Sequence, residues 1–266
     1  MLELLQFRHS PYNEKVRWAL DFKHVPHTRR SLLPGPHVAV LKRLTGRTET
    51  PVLIHDAGAL DGSARILEWL EARYPTPALW PGDAAQRDEA LRIQRWFDDD
   101  ITPRMRRTVL DALLQSPRMF ARIFADGRPK WTRLAYAAIV PLAAPLVRKG
   151  NGITGAASVE DGHRAAAEAF DFVAQRSAAT GYLCGVSFSL ADLTAASTLA
   201  VFVKPADSPM ASPQPISPGS QALLDRYAEH AGAAWVRRVY AKHRSSCRDF
   251  DGPSDAAVPP EPVKAT

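Results

Sequence analysis

The sequence predicts an α/β layer followed by an all-α domain, and two patterns carry that reading. Over the first 78 residues, short apolar runs alternate with amphipathic stretches, the order of a small mixed sheet flanked by helices. From Ala84 onward the strand pattern stops and helical spacing alone continues. At 266 residues the chain is long enough to bury a full core and to form two domains. The expected units are an α/β domain over 1–78, a helical domain over 84–244 and a disordered tail over 245–266.

In the first unit, strands are expected near 2–7, 28–32, 52–55 and 58–60, with helices near 11–23, 36–44 and 63–73. Leu2 to Phe7 reads as a buried strand that breaks at Arg8-His9-Ser10. Pro11 then opens a helix. Serine is a preferred cap, and proline at the first helical position has the right φ and wastes no donor. Thr50-Pro51-Val52-Leu53-Ile54 puts a proline at the start of a short apolar strand. Leu60-Asp61-Gly62-Ser63 is a polar turn running into an amphipathic helix. Tyr74-Pro75-Thr76-Pro77 ends that helix, and residues 78–83 read as a linker.

In the second unit, Asp83 caps a helix running to about Gln115, with Leu91, Trp96, Ile101, Met105, Val109 and Leu113 at helical spacing. Ser116-Pro117 starts another, and residues 129–148 are helical in pattern but kinked by Pro141 and Pro145. Further helices are expected over 159–178, 188–203, 220–228 and 233–243, an all-α domain of five to seven helices. Ser189-Leu190-Ala191-Asp192 is a capping box. Pro205 to Pro218 holds five prolines and reads as a functional or mobile loop.

The chemistry concentrates at Ser10. Its hydroxyl sits at the positive end of a helix, just past a strand, where free N–H groups and the helix dipole favour negative charge. A thiol bound there ionises more readily, because the thiolate is the stabilised form. The plain alternative is that Ser10 only caps a helix. The surrounding motifs favour the chemical reading. Ser10-Pro11-Tyr12-Asn13 stands where glutaredoxin-like proteins have Cys-Pro-Tyr-Cys, Thr50-Pro51 opens a strand forty residues later, and Asp61-Gly62-Ser63 opens a helix after that. Phe188 to Asp192 resembles a buried motif of the second domain. Together these residues resemble the cytosolic glutathione S-transferase family, of the bacterial type with a serine-type site, over about residues 1–245.

That resemblance implies a thioredoxin-like N-terminal domain and a helical C-terminal domain. It implies glutathione as co-substrate, Ser10 as the hydrogen-bond donor to its thiolate and Asn13 as a substitute donor. Asn13 in place of the second cysteine excludes dithiol–disulfide exchange. The resemblance further implies a cis Thr50–Pro51 bond whose exposed Thr50 backbone pairs with the cysteinyl unit, and Ser63 on the γ-glutamyl carboxylate. Tyr12, Asp61 and Arg65 complete the implied glutathione contacts. Relatives have an acidic residue immediately before that serine, whereas this chain has Gly62 there and Asp61 one place early. Either Asp61 reaches the ammonium from a shifted turn, or the contact is lost and affinity falls. A carboxylate of Asp98–Asp100 from a second subunit is a further source.

Composition narrows the alternatives. Apolar residues at 45% and charged ones at 23% suit a globular protein, and no apolar run approaches the ~20 residues of a membrane span. Met1-Leu2-Glu3 lacks a basic leader, so the expected compartment is the cytoplasm. Cys184 and Cys247 form neither a disulfide framework nor a zinc pattern, and no metal is expected. The net charge of +6 comes with spread basic residues, so no nucleic-acid or membrane partner is expected. Adjacent Asp98, Asp99 and Asp100 point about 100° apart on a helix and cannot converge on one ion. The function expected is transfer of the glutathione thiolate to a small hydrophobic electrophile by a homodimer, in the manner of a detoxifying transferase. The alternative is a non-catalytic relative that binds a ligand or a protein partner.

Overall fold

The computed structural model describes residues 2–206, 208–244 and 251–253. The N-terminal part runs β1 (Leu2–Gln6), α1 (Pro11–Phe22), β2 (His27–Ser31), α2 (His37–Thr45), β3 (Val52–His55), β4 (Gly58–Asp61) and α3 (Ser63–Arg73). β1 pairs parallel with β2 and antiparallel with β3, which pairs antiparallel with β4. This is the layer expected of a thioredoxin-like domain.

Successive side chains of a strand point to opposite faces, and the core divides accordingly. Leu2, Leu4 and Leu53 belong to the main core with Val16 and Leu20 of α1 and Leu67 of α3. Leu5 and Val52 pack with Leu41 of α2 on the other face. The α1 surface then meets the helical part. Trp18 is fully buried, stacks on Phe188 with ring centroids 5.5 Å apart, and donates its indole N–H to the His243 carbonyl at 3.0 Å.

The remaining helices are α4 (Ala84–Trp96), α5 (Thr102–Leu114), α6 (Pro117–Phe124), α7 (Lys130–Gly150), α8 (Ala156–Arg176), α9 (Leu190–Val203), α10 (Pro218–Asp225) and α11 (Ala231–His243). Instead of one continuous helix over 84–115, a π-helical turn at Phe97–Ile101 separates α4 from α5. The π turn shifts the register of the side chains that follow, and it lies beside the candidate site. α9 is the central helix, apolar on all sides and fully buried along most of its length. Its start is fixed by Asp192, whose carboxylate accepts from the Ser189 N–H (3.0 Å), the Ser189 hydroxyl (2.9 Å) and the Leu183 N–H (2.8 Å). Burial pushes this carboxyl up to about 6 despite those bonds. Within the Pro-rich 205–218 segment Met210 is fully buried and Ser217 caps α10.

One expectation is corrected at the tail. Residues 252 and 253 form a short strand, β5 (Gly252–Pro253), antiparallel to β2. The edge of β2 offers unpaired backbone groups, and the Asp251 carboxylate accepts from the Ser31 N–H and from Arg8. The rest of the expected disordered tail, Cys247 included, lies outside the described residues.

Candidate functional site

Ser10 is the extended residue before α1, with φ −83° and ψ 132°, and its side chain makes no cap hydrogen bond. The hydroxyl is therefore not tied to its own helix. The N–H groups of Tyr12 and Asn13 have no carbonyl four residues back within the helix, so the positive end of α1 faces the same place. Beneath the loop lies a buried ionic cluster. Arg17 donates to the Arg8 carbonyl at 3.0 Å, to Gln6 Oε1 at 2.6 Å and to Glu14 Oε2 at 2.8 Å through Nε. Glu14 also accepts from Arg244 Nε at 2.8 Å, and Arg244 reaches Asp21 at 2.8 Å. Burial pushes the Glu14 carboxyl up, but Arg244 and Arg17 outweigh it and hold the group below its usual value. His9 is buried in the loop; burial first, then Lys204, Arg17 and Arg8, keep its imidazole neutral. It shapes the loop and is in no state to add positive charge.

Three backbone points are linked in sequence across the site. Asn13 Nδ2 donates to the Thr50 hydroxyl at 2.9 Å, the Thr50–Pro51 peptide is cis, and the Gly62 N–H donates to the Pro51 carbonyl at 3.2 Å. Asp61 pairs with Val52 across β3 and β4. The first turn of α1, the Thr50–Pro51 turn and the start of α3 are thereby held in one arrangement. Ser63 is buried as the first residue of α3, and no side-chain bond closes that helix terminus. Gly62 has φ 84° and ψ 128°, a conformation that L side chains rarely adopt. The glycine answers a backbone need there.

Several candidate side chains have partners elsewhere in the structure. The Tyr12 hydroxyl donates to the Asp98 carbonyl at 2.7 Å, so this ring ties α1 to the helical part. Asn13 is engaged by Thr50, which makes it a brace for the turn; its Oδ1 is buried without a partner. Asp98 pairs with Lys15 of its own chain at 2.5 Å, and Asp100 with Arg104 at 3.2 Å. Asp98 is therefore no spare carboxylate for a neighbouring subunit. Asp61 already carries two cations, Arg65 at 2.6 Å and Arg47 at 3.4 Å. Asp99, the remaining acid of the 98–100 segment, is exposed.

Two features escaped the sequence reading. Arg47 follows the α2 end with no motif to mark it. A ladder of rings runs from the residue that accepts the Ser10 N–H: Phe7 lies 4.9 Å from His37 and 6.1 Å from Phe124, which lies 4.5 Å from Phe120. Phe120 and Tyr136 are 6.1 Å apart. A cleft of about 480 Å³ opens next to His37, lined also by Leu33, Val40 and Trp131. Among the described residues no cluster of three or more His, Cys, Asp or Glu is placed to hold a metal. Cys184 is buried, and burial pushes its thiol up to about 11. Among the described residues no helix is long and apolar enough to cross a membrane.

With this geometry in view, the comparisons agree. Residues 4–78 match the family described as glutathione S-transferase, N-terminal domain. Residues 4–78 thus carry the N-terminal domain of glutathione S-transferases, and the chain as a whole has the fold of solved members of that family. Over 115 residues it is 33% identical to a maleylpyruvate isomerase of Ralstonia sp, a match covering 42% of this chain and 54% of that protein. The chain thus spans about half the length of the curated relatives it matches. A glutathione S-transferase of Rhodospirillum rubrum F11 superposes with a TM-score of 0.59 at 22% identity, over 92% of this chain and 90% of that one. A glutathione S-transferase of Methylobacillus flagellatus, solved with glutathione bound, gives 0.58 at 20% identity, over 92% and 96%. At these identities the superpositions establish the fold.

Proposed function

We propose that the protein is a glutathione-dependent enzyme in which Ser10 and the N-terminus of α1 hold the glutathione thiolate for attack on a small electrophile. Residues 1–78 act as the glutathione-binding domain and 84–244 as the domain that shapes the electrophile side, in a cytoplasmic homodimer. The observation that carries this reading is the linkage Asn13–Thr50–Pro51–Gly62, which fixes the Ser10 helix end, the Thr50 backbone and the Ser63 helix end relative to one another. The Thr50 backbone takes the cysteinyl unit and Ser63 the γ-glutamyl carboxylate, each as a neutral donor set at fixed backbone. Arg47 and Arg65 put a net positive edge around Asp61, suited to a peptide with two carboxylates. Thiolate transfer to a carbon forms a C–S bond while the bond from that carbon to its leaving group breaks, the leaving group departing with the electron pair. Isomerisation adds the same thiolate to a conjugated double bond and releases it unchanged, so both outcomes use one site. Phe7, Phe124 and Phe120 supply an apolar wall at the mouth.

The committed state of Asp61 favours one rival, a glutathione S-transferase-like scaffold that binds ligand weakly and turns nothing over. Calorimetric titration with glutathione separates the two. The enzyme reading expects saturable binding that Ser63→Ala weakens by about one power of ten, the value of one charge-assisted hydrogen bond. No heat from the wild type, together with no conjugation of an aryl halide, would establish the scaffold.

A further inference from the structure

Residues 117–150, which form α6 and α7, hold seven basic side chains and a single acid, Asp126. That excess of six equals the formal net charge of the entire chain, +6, so the remainder is balanced. Asp126 is itself paired with Arg8 at 3.4 Å. Lys130, Arg133 and Lys149 have no carboxylate partner among the described residues.

The same segment exposes apolar side chains. Trp131 is 72% exposed, Leu134 70%, Leu142 83% and Leu146 74%, with Ile139 at 55%. At 100° per residue these five fall on one side of α7. The opposite side is occupied: Val140 is buried, and Tyr136, Ala144 and Val147 pack on the cluster around Leu113 and Phe120. α7 therefore has a filled inner face and an apolar outer face in water, with Lys130 and Lys149 at its two ends.

Charge selects the occupant. A second copy docked face to face would oppose two strongly basic surfaces. A nucleic acid would satisfy the charge and leave the apolar face uncovered. An anionic lipid surface meets both: the apolar face enters the acyl boundary, the tryptophan sits at the interface, and the cations reach headgroup phosphates. We propose that α7 docks the protein on anionic phospholipid bilayers, lying in the plane of the surface. A surface helix needs no spanning segment, and the charge that reads as spread along the sequence has its net excess in residues 117–150, against the expectation of no membrane partner. The prolines 141 and 145 are both exposed and do not interrupt the inner packing.

The test is co-sedimentation of the full chain with vesicles of phosphatidylcholine alone or mixed with phosphatidylglycerol. Binding is expected to the mixed vesicles, to weaken with added salt, and to be minor on phosphatidylcholine. Leu142→Glu with Leu146→Glu should reduce it by more than tenfold, and Lys130→Glu with Lys149→Glu by about 25-fold or more, about fivefold for each lost cation. All four residues are exposed, and thermal unfolding checks that the variants remain folded. Absence of wild-type binding to mixed vesicles at low salt would overturn the proposal. So would a wild-type dimer in sedimentation equilibrium that the leucine pair dissociates, since the face would then be covered by a second copy.

Discussion

Beneath Ser10, the charged groups of Glu14, Arg17 and Arg244 are shut away from water; on α7, the apolar groups of Trp131, Leu142 and Leu146 are left in it. Each region inverts the usual distribution of side chains, and the costs differ. In the buried cluster each carboxylate is bonded to two guanidinium groups and Arg17 to the Arg8 carbonyl. Such a cluster adds little net stability over an apolar replacement, yet breaking one partner strands the others. Here it fixes the backbone of the loop that presents Ser10. The α7 face has no internal partner and is free to change without cost to the fold. A rigid site and a spare surface are thus separated in one molecule.

Removing one member of the buried cluster should have the largest effect. Glu14→Gln leaves Arg17 and Arg244 without their shared charge, and a loss of about 3–5 kcal/mol in denaturant unfolding is expected. A loss below about 1 kcal/mol would mean the cluster is not the support of the loop. Gly62→Glu, which would restore the acidic residue of relatives, is expected to cost about 1–3 kcal/mol because of the φ of 84° at that position. Unchanged stability there would show that the turn can relax.

The acid limb is next. His27 is held neutral, its pKa lowered to about 4 by burial and then by Arg29. Its Nδ1 bonds the Val25 carbonyl at 2.8 Å, and its Nε2 accepts from Arg29 at 3.0 Å. The unfolded chain binds this proton near pH 6.5, so its contribution is full above that pH and is lost as pH falls toward about 4. Glu14 and Asp21, both lowered, keep their contributions above the ordinary carboxylate range and lose them below it. His27→Gln should flatten the stability profile between about pH 6.5 and 4; an unaltered slope would assign it to another group. The smallest effect belongs to α7, where Leu142→Ser should change stability by no more than about 0.5 kcal/mol.

The strands and helices of the first 78 residues were legible because each has a local signal: the Ser10-Pro11 start, the Pro51 strand opening, the two-residue alternation that sends Leu4 and Leu5 to different faces. The Ser189–Asp192 cap was legible for the same reason. Partners far apart in sequence were not. Nothing near Tyr12 announces the Asp98 carbonyl, nothing near Glu14 announces Arg244, and Asn13 finds Thr50 only once the sheet has formed. The pairing of Asp98 with Lys15 was not legible, because the π turn that carries Asp98 has no sequence marker. Gly62 was visible as a departure, but its cause is a backbone angle.

The central claim is that Ser10 and the α1 terminus stabilise the glutathione thiolate, and the ultraviolet absorbance of the bound thiolate measures it directly. Titrating the protein–glutathione complex with pH should show the thiol ionising below its ordinary value of about 8.5 in the wild type. In Ser10→Ala the transition should move to higher pH, with turnover falling on the order of 10²-fold and binding changed far less. An identical transition and turnover in the two proteins would contradict the account and assign the thiolate to another donor.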